Sequence, residues 1–306
     1  MRIAIIGRTE ILFESAKLLS KSGNDIVCIV TAKEAPEYKI KTSDFEKIAN
    51  EWHIPFVNTP RIIETIDLLK KIKPDIGVSV NYTGIIPQSV IDIFPYGIIN
   101  AHGGDLPRYR GNACQAWAII NCENKIGLCI HKMNGGEVDS GDILAREYFG
   151  ININTKIGDV LKWTFERVPV LFNKSVEELK KNPEFYLEKQ STESKDILRC
   201  YPRLPEDGRI DWSKSSKDIL RLINATNKPY GGAYGYFQEK KIIIWDAQII
   251  NDGEVFFAIP GQVILIGGNF IIVACGEGKL KILIVEYENQ VCESNKIVKS
   301  IRKRLT

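Results

Sequence analysis

The sequence predicts a mixed α/β protein: a doubly wound, mostly parallel Rossmann-like sheet followed by a smaller C-terminal domain that is β-barrel-like, of the OB type. Three observations predict it. The first half alternates apolar runs with helix-period segments, the second half carries short β-type runs punctuated by Gly and Pro, and a polar stretch separates them. With 306 residues, 44% hydrophobic and 26% charged, the chain can bury a full core and suits two domains better than one. The expected boundaries are 1–190 for the sheet domain, 191–204 for a linker and 205–306 for the barrel.

Arg2 to Ile6, Asp25 to Thr31, Asp75 to Val80 and Gly97 to Ala101 are apolar runs of the kind buried on both faces of a parallel sheet. Between them, Ile11 to Ser20, Ser43 to Trp52 and Ile62 to Ile72 repeat apolar residues at helical period, which completes the doubly wound alternation. Gly127 to Met133 and Ile143 to Phe149 read as two more strands, and Asp159 to Lys181 as a long amphipathic helix that closes the domain. From Leu187 to Arg199 the chain turns polar, with Gln190, Ser191, Thr192, Glu193, Ser194 and Lys195 in succession, the composition of a linker. A short helix over Ser215 to Asn224 precedes β-type runs at Gly235 to Gln238, Lys241 to Ile249, Val263 to Ile266, Phe270 to Ala274 and Leu280 to Tyr287. That spacing suits a small barrel.

Composition argues against several function classes. The formal charge of +3, from 41 basic and 38 acidic residues, is too small for a dedicated polyanion binder, so nucleic acid is not the expected partner. No run approaches the ~18 apolar residues of a membrane span. The apolar stretch Ile3 to Ile6 meets Gly7 and Arg8 too early for a signal peptide, and the expected location is the cytoplasm, without a membrane partner. Cys28, Cys114, Cys122, Cys129, Cys200, Cys275 and Cys292 lack CxxC spacing, which favours reduced packing residues over a zinc site or a disulfide framework. After Gly7, the positions where a dinucleotide fingerprint needs further glycines hold Thr9 and Leu12, against an NAD enzyme.

The stretch from Gly97 to Leu144 is the informative one. In GIINAH, Asn100 and His102 alternate with Ile99 and Ala101, so period two puts the polar pair on one face at the carboxyl end of a buried strand, where open α/β sheets bind ligands. Leu106-Pro107-Arg108-Tyr109-Arg110-Gly111 follows, and Asp139-Ser140-Gly141 stands further along. Each piece alone has a plain structural reading, a satisfied histidine at a strand end or a simple turn.

Together, Asn100-Ala101-His102, the LPRYRG segment from Leu106 to Gly111 and the Asp139-Ser140-Gly141 turn resemble the core of the 10-formyltetrahydrofolate-dependent formyltransferases. Pro205 to Trp212 and Pro229-Tyr230-Gly231-Gly232-Ala233 resemble the start of the barrel-like C-terminal domain of methionyl-tRNA and sugar-nucleotide formyltransferases. The resemblance implies formyl transfer to an amine, with Asn100, His102 and Asp139 as the catalytic centre and no metal. Asn100 can donate to the developing oxyanion, His102 can take the amine proton, and Asp139 can orient the imidazole and stabilise its cation. It further implies a pterin slot around Thr83, Ile85, Ile86 and Pro87 on one side and Met133, Gly135, Gly136 and Val138 on the other.

The acceptor is the harder question. Residues 201–306 hold 15 Lys and Arg against 12 Asp and Glu, and five of the cations lie within Lys296 to Arg304, which reads as a solvated helix end. The barrel is therefore not the basic surface expected of a tRNA enzyme. Asn112 and Ala113 after Arg110-Gly111 resemble the sugar-nucleotide branch, which implies a UDP- or dTDP-linked 4-amino-4,6-dideoxy sugar of a cell-surface glycan pathway. Tyr82, Arg108, Tyr201, Arg203, Lys228 and Tyr230 are candidate substrate contacts, combining cations for a pyrophosphate with aromatic faces for the base. Formylation of methionyl-tRNA or of a carrier-bound aminoacyl group stays open, as does a homodimer, the frequent state of the sugar branch.

Overall fold

Continuous runs of Ile and Val build the first sheet. In the computed structural model, which describes residues 1–36 and 38–306, residues 2–200 form in chain order β1 (Arg2–Gly7), α1 (Thr9–Lys21), β2 (Asp25–Thr31), α2 (Thr42–Glu51), β3 (Phe56–Asn58), α3 (Ile66–Ile72), β4 (Ile76–Val80), α4 (Gln88–Ile91), β5 (Ile98–His102), β6 (Arg110–Gly111), α5 (Cys114–Ile120), β7 (Lys125–Lys132), β8 (Ile143–Gly150), α6 (Ile157–Lys181) and β9 (Arg199–Cys200). The chain divides into two units. One holds Met1–Cys114, Ile126–Phe149 and Lys162–Cys200, and the other holds Gln115–Lys125, Gly150–Leu161 and Tyr201–Thr306.

The first sheet has the order β3-β2-β1-β4-β5-β7-β8. The pairs from β3 to β5 are parallel and β7 runs antiparallel to β5. Alternation along β1 serves both faces, as a doubly wound sheet requires: Ile3 and Ile5 join the core with Leu12, Leu19 and Phe172, whereas Ala4 and Ile6 join Leu69, Val90 and Phe94 on the other side. These isoleucines are fully buried, each worth about 1.5–3 kcal/mol on transfer from water. The strand order reverses between β1 and β4, so the carboxyl ends of β1, β4 and β5 form the edge at which such sheets bind ligands.

Two expectations for this region change. The helix over Ile62 to Ile72 is split into a 3-10 turn, Ile62–Thr65, and α3. The Thr65 hydroxyl donates to the Ile62 carbonyl at 2.7 Å and competes with the backbone there. Strand β3, unread from sequence, is only three residues long, too short to display a period.

The second unit carries α7 (Ser216–Ala225), β10 (Ala233–Phe237), β11 (Lys240–Ile250), β12 (Val263–Ile266), β13 (Ile271–Ala274), β14 (Lys279–Tyr287), β15 (Gln290–Glu293) and α8 (Ser294–Ile297). Its antiparallel sheet runs β10-β11-β14-β13-β12, with β15 on β14, around Trp212, Ile223, Ile244, Val273 and Ile282.

The basic C-terminal segment is not the solvated helix end expected from its charge. After the single turn of α8 the chain turns at Ile301 and Arg302 and then bonds to both open ends of the sheet. Beside β12, Val263 N–H donates to the Lys303 carbonyl at 3.1 Å and Leu305 N–H to that of Gly261 at 2.8 Å; beside β10, Tyr236 and Thr306 exchange bonds of 2.6 and 2.9 Å. Val298 and Leu305 enter the core while Arg302, Lys303 and Arg304 stay exposed. Two buried apolar side chains spaced by cations outweigh what the charge count suggested. Leu305→Ala is expected to destabilise the second unit by about 2–5 kcal/mol, read as the shift of its urea transition; a loss below about 1 kcal/mol, the scale of a surface change, would mean that the tail does not complete the barrel.

Candidate active site

Three chain segments converge at the carboxyl end of β5. Asn100 and His102 share one face of that strand by alternation, and the antiparallel register sets His131 of β7 directly opposite Asn100. The chain then turns through the Asn134–Glu137 bridge and returns with Lys132 N–H bonded to the Asp142 carbonyl at 2.9 Å, which brings Asp139 back over both histidines. Gly141 makes this return feasible, since a Cβ there would stand 1.9 Å from the Lys132 carbonyl oxygen.

Asp139 is the hub. Its Oδ2 lies 3.3 Å from His102 Nδ1 and accepts from the Gly111 N–H at 2.9 Å, and its Oδ1 lies 3.4 Å from His131 Nε2. Its backbone is left-handed, with φ of 54°, a conformation that costs a non-glycine residue energy and must be held. Gln190 holds it: the Nε2 group donates to the Asp139 carbonyl at 2.9 Å and to the Gly141 carbonyl at 2.5 Å. The buried Arg110 guanidinium in turn donates to Gln190 Oε1 through Nη2 at 2.9 Å.

The tautomers follow from the acceptors. A carbonyl cannot donate, so His102 Nε2, 2.6 Å from the Tyr109 carbonyl oxygen, carries the proton of the neutral ring. Nδ1 is then its basic atom, and it faces Asp139. Gly104 permits this contact, because a Cβ there would stand 2.4 Å from the Tyr109 carbonyl oxygen and 2.5 Å from His102 Nε2. By the same reasoning His131 Nδ1 donates to the Lys132 carbonyl at 2.8 Å, and the Nε2 of its neutral ring accepts from Asn100 Nδ2 at 3.3 Å.

Burial pushes the His102 imidazole below its ordinary value, against the upward pull of Asp139 and the Tyr109 carbonyl. Burial would raise the Asp139 carboxyl, but His102, His131 and the Gly111 N–H outweigh it and hold the group far below the usual carboxylate range. The resting pair is a carboxylate beside a neutral imidazole. A proton arriving at Nδ1 enters an electrostatic well already in place.

The structure thus brings Asn100, His102 and Asp139 together. Pro87 caps α4 and Gly135 N–H donates to Gln88 Oε1 at 2.8 Å, so the two segments expected around a pterin meet here. Thr83, Ile85, Gly136 and Val138 are exposed along them, whereas the Ile86 side chain is core and Met133 packs partly against the same cluster. The Tyr82 hydroxyl donates to the Thr59 carbonyl at 2.7 Å, and burial pushes it up to about 12. Arg108 is exposed with its guanidinium 5.8 Å above the Tyr109 ring. The remaining candidates belong to the second unit: Tyr201 and Tyr230 are exposed, Arg203 lies 4.9 Å above the Trp117 ring and Lys228 lies 5.2 Å from that of Trp245.

Sequence reasoning missed His131 and Gln190. A histidine inside the apolar run from Lys125 to Lys132 was a usable signal for the first. Nothing in the polar run around Gln190 marked it, because its partners lie about fifty residues away in the chain.

This fold, with a buried histidine and carboxylate at the carboxyl edge of its sheet, has the architecture of a group-transfer enzyme. The chain belongs to the formyl transferase family: the family's domain matches residues 1–168 and its C-terminal domain matches residues 204–301. It is a formyltransferase. The methionyl-tRNA formyltransferase of Acetivibrio thermocellus is 29% identical over 298 residues, covering 94% of this chain and 93% of that protein. Among solved structures, the N-formyltransferase from Helicobacter canadensis in complex with folinic acid and dTDP-3-aminofucose matches with TM-score 0.67 and 20% identity over 92% of this chain and 99% of its own. HypX from Aquifex aeolicus in complex with tetrahydrofolic acid matches with TM-score 0.63 and 17% identity; this chain spans 47% of its length.

A folded-state value below that of the unfolded chain means that His102 favours folding above pH ~6.5 and weakens it as pH falls. In ring-proton NMR, His102 should titrate below ~6.5, and Asp139→Asn, which removes the carboxylate that raises it, should lower it further. A His102 titration that moved upward on that substitution would contradict the electrostatic account.

Proposed function

We propose that this formyltransferase takes its one-carbon group from 10-formyltetrahydrofolate and delivers it to the primary amine of a nucleotide-linked amino sugar. The observation that carries the chemistry is the convergence of Asn100, His102 and Asp139 in one buried cluster. The donor supplies an electrophilic formyl carbon and a leaving nitrogen. Asn100 has a second Nδ2 hydrogen with which to meet the charge that develops on the formyl oxygen. His102 Nδ1 takes the proton that the attacking amine must lose, and Asp139 stabilises the imidazolium. Exposed Ile85 and Val138, with Gly135 and Gly136 between the two loops, offer apolar surface and close backbone approach for a flat ring.

For the acceptor, the second unit supports a small molecule. Residues 201–306 carry 15 basic and 12 acidic residues, and Arg221, Lys240, Lys279 and Lys296 are paired with acids. The excess of basic over acidic residues is small for a polyanion surface. The likeness to a structure holding dTDP-3-aminofucose supports the same reading; the acceptor in this proposal is a UDP- or dTDP-linked amino-dideoxy sugar, formylated in the cytoplasm for a surface glycan. A second reading, formylation of methionyl-tRNA, is favoured by the full-length sequence match to enzymes of that name and by exposed Arg302, Lys303 and Arg304 lining a groove of about 350 Å³.

Ala substitution of Asn100, His102 or Asp139 should lower kcat by ~10²-fold or more with folate affinity nearly unchanged. Because the base must be neutral and burial lowers its value, kcat should fall on the acid side with an inflection below ~6.5. A rate independent of pH from about 5 to 8 would remove His102 as the base. For the acceptor, purified enzyme with 10-formyltetrahydrofolate should formylate one or more of a panel of UDP- and dTDP-amino sugars, with activity nearly constant between about 50 and 200 mM salt. Turnover confined to methionyl-tRNA, falling ~10³-fold or more over that range, would establish the second reading instead.

A further inference from the structure

His131 is almost completely buried at the centre of the site, touching both Asn100 and Asp139, yet the transfer chemistry assigns it no proton and no charge. Its bonds show what it can do. With the Nδ1 proton committed to the Lys132 carbonyl at 2.8 Å, the neutral ring presents only a lone pair at Nε2. A lone pair faces an NH2 group favourably and a carbonyl oxygen unfavourably. At 3.3 Å from Nε2, the Asn100 amide is therefore held with Nδ2 inward, and a 180° flip of that amide would set Oδ1 against the lone pair. Among the described residues no acceptor takes the second Nδ2 hydrogen, so this orientation leaves a donor for the reaction.

We propose that His131 is a positioning residue: it fixes which end of the Asn100 amide meets the formyl oxygen, and so keeps a hydrogen-bond donor where a flipped amide would place an acceptor. The antiparallel register of β5 and β7, Asn100 opposite His131, builds the lock into the sheet. The proposal rests on formyl transfer through Asn100. It predicts an effect on turnover that depends wholly on that side chain.

The test is a double-mutant cycle on the full chain, with folate KM and thermal stability measured on each protein. His131→Met fills a similar volume without an acceptor and is expected to lower kcat about tenfold, the scale of one lost buried hydrogen bond, with folate KM within about twofold. In an Asn100→Ala background the same substitution should cost nothing more, because its target is gone. His131→Gln, whose Oε1 can accept from Asn100 Nδ2, should recover most of the rate and also decides the matter if the Met variant fails to fold. Equal losses from His131→Met in both backgrounds, or a Gln variant that folds normally and is as slow as Asn100→Ala, would overturn the lock. Either result leaves formyl transfer standing, whereas a wild-type protein that moves no formyl group from 10-formyltetrahydrofolate to any amine would remove the reading beneath it.

Discussion

The site depends on one ionised carboxylate kept where water is scarce. Asp139 is nine-tenths buried, and an unpartnered charge there would protonate or destabilise the fold. The Gly111 N–H donates to it, and His102 Nδ1 stands 3.3 Å away as the place for a compensating proton. The carboxylate in turn gives His102 somewhere to put a proton despite the burial that disfavours its cation. Asp139 and His102 each shift the other's protonation, so the pair is a coupled unit.

Supporting such a hub consumes a large part of the surrounding architecture. Asp139 needs a left-handed backbone, Gln190 and Arg110 to pin its carbonyl, and Gly141 to let the return strand pass over Lys132. His102 needs the Tyr109 carbonyl to select its tautomer and Gly104 to let that carbonyl approach. The Leu106 to Gly111 motif meets the site largely through its backbone: the Tyr109 carbonyl orients His102 and the Gly111 N–H holds Asp139, while the Arg110 side chain braces the turn.

The second unit solves a different problem. An antiparallel sheet leaves two edges exposed to unwanted pairing, and here the C-terminal segment bonds to both while Leu305 plugs the core. Sequence charge alone suggested the opposite, because Arg302, Lys303 and Arg304 are exposed and only the two small anchors Val298 and Leu305 are buried. Two buried residues seven positions apart set no period, so nothing local outweighs the run of cations.

The sequence by itself determined the fold class and most strand and helix positions of the first unit, because each is written in local period, and its motifs at Asn100, His102 and Asp139 carried the resemblance to formyltransferases. Gly7 without its companion glycines likewise argued against a dinucleotide site from short-range spacing alone. Only the tertiary structure decided that His131 stands opposite Asn100, that Gln190 braces the Asp139 turn, that Nδ1 rather than Nε2 of His102 is the basic atom, and that the tail bonds to both edges of the second sheet. Each of these is fixed by strand register or by a hydrogen bond between residues distant in the chain. Neither leaves a periodic trace in the sequence, because the free energy that selects it exists only once the sheet has assembled.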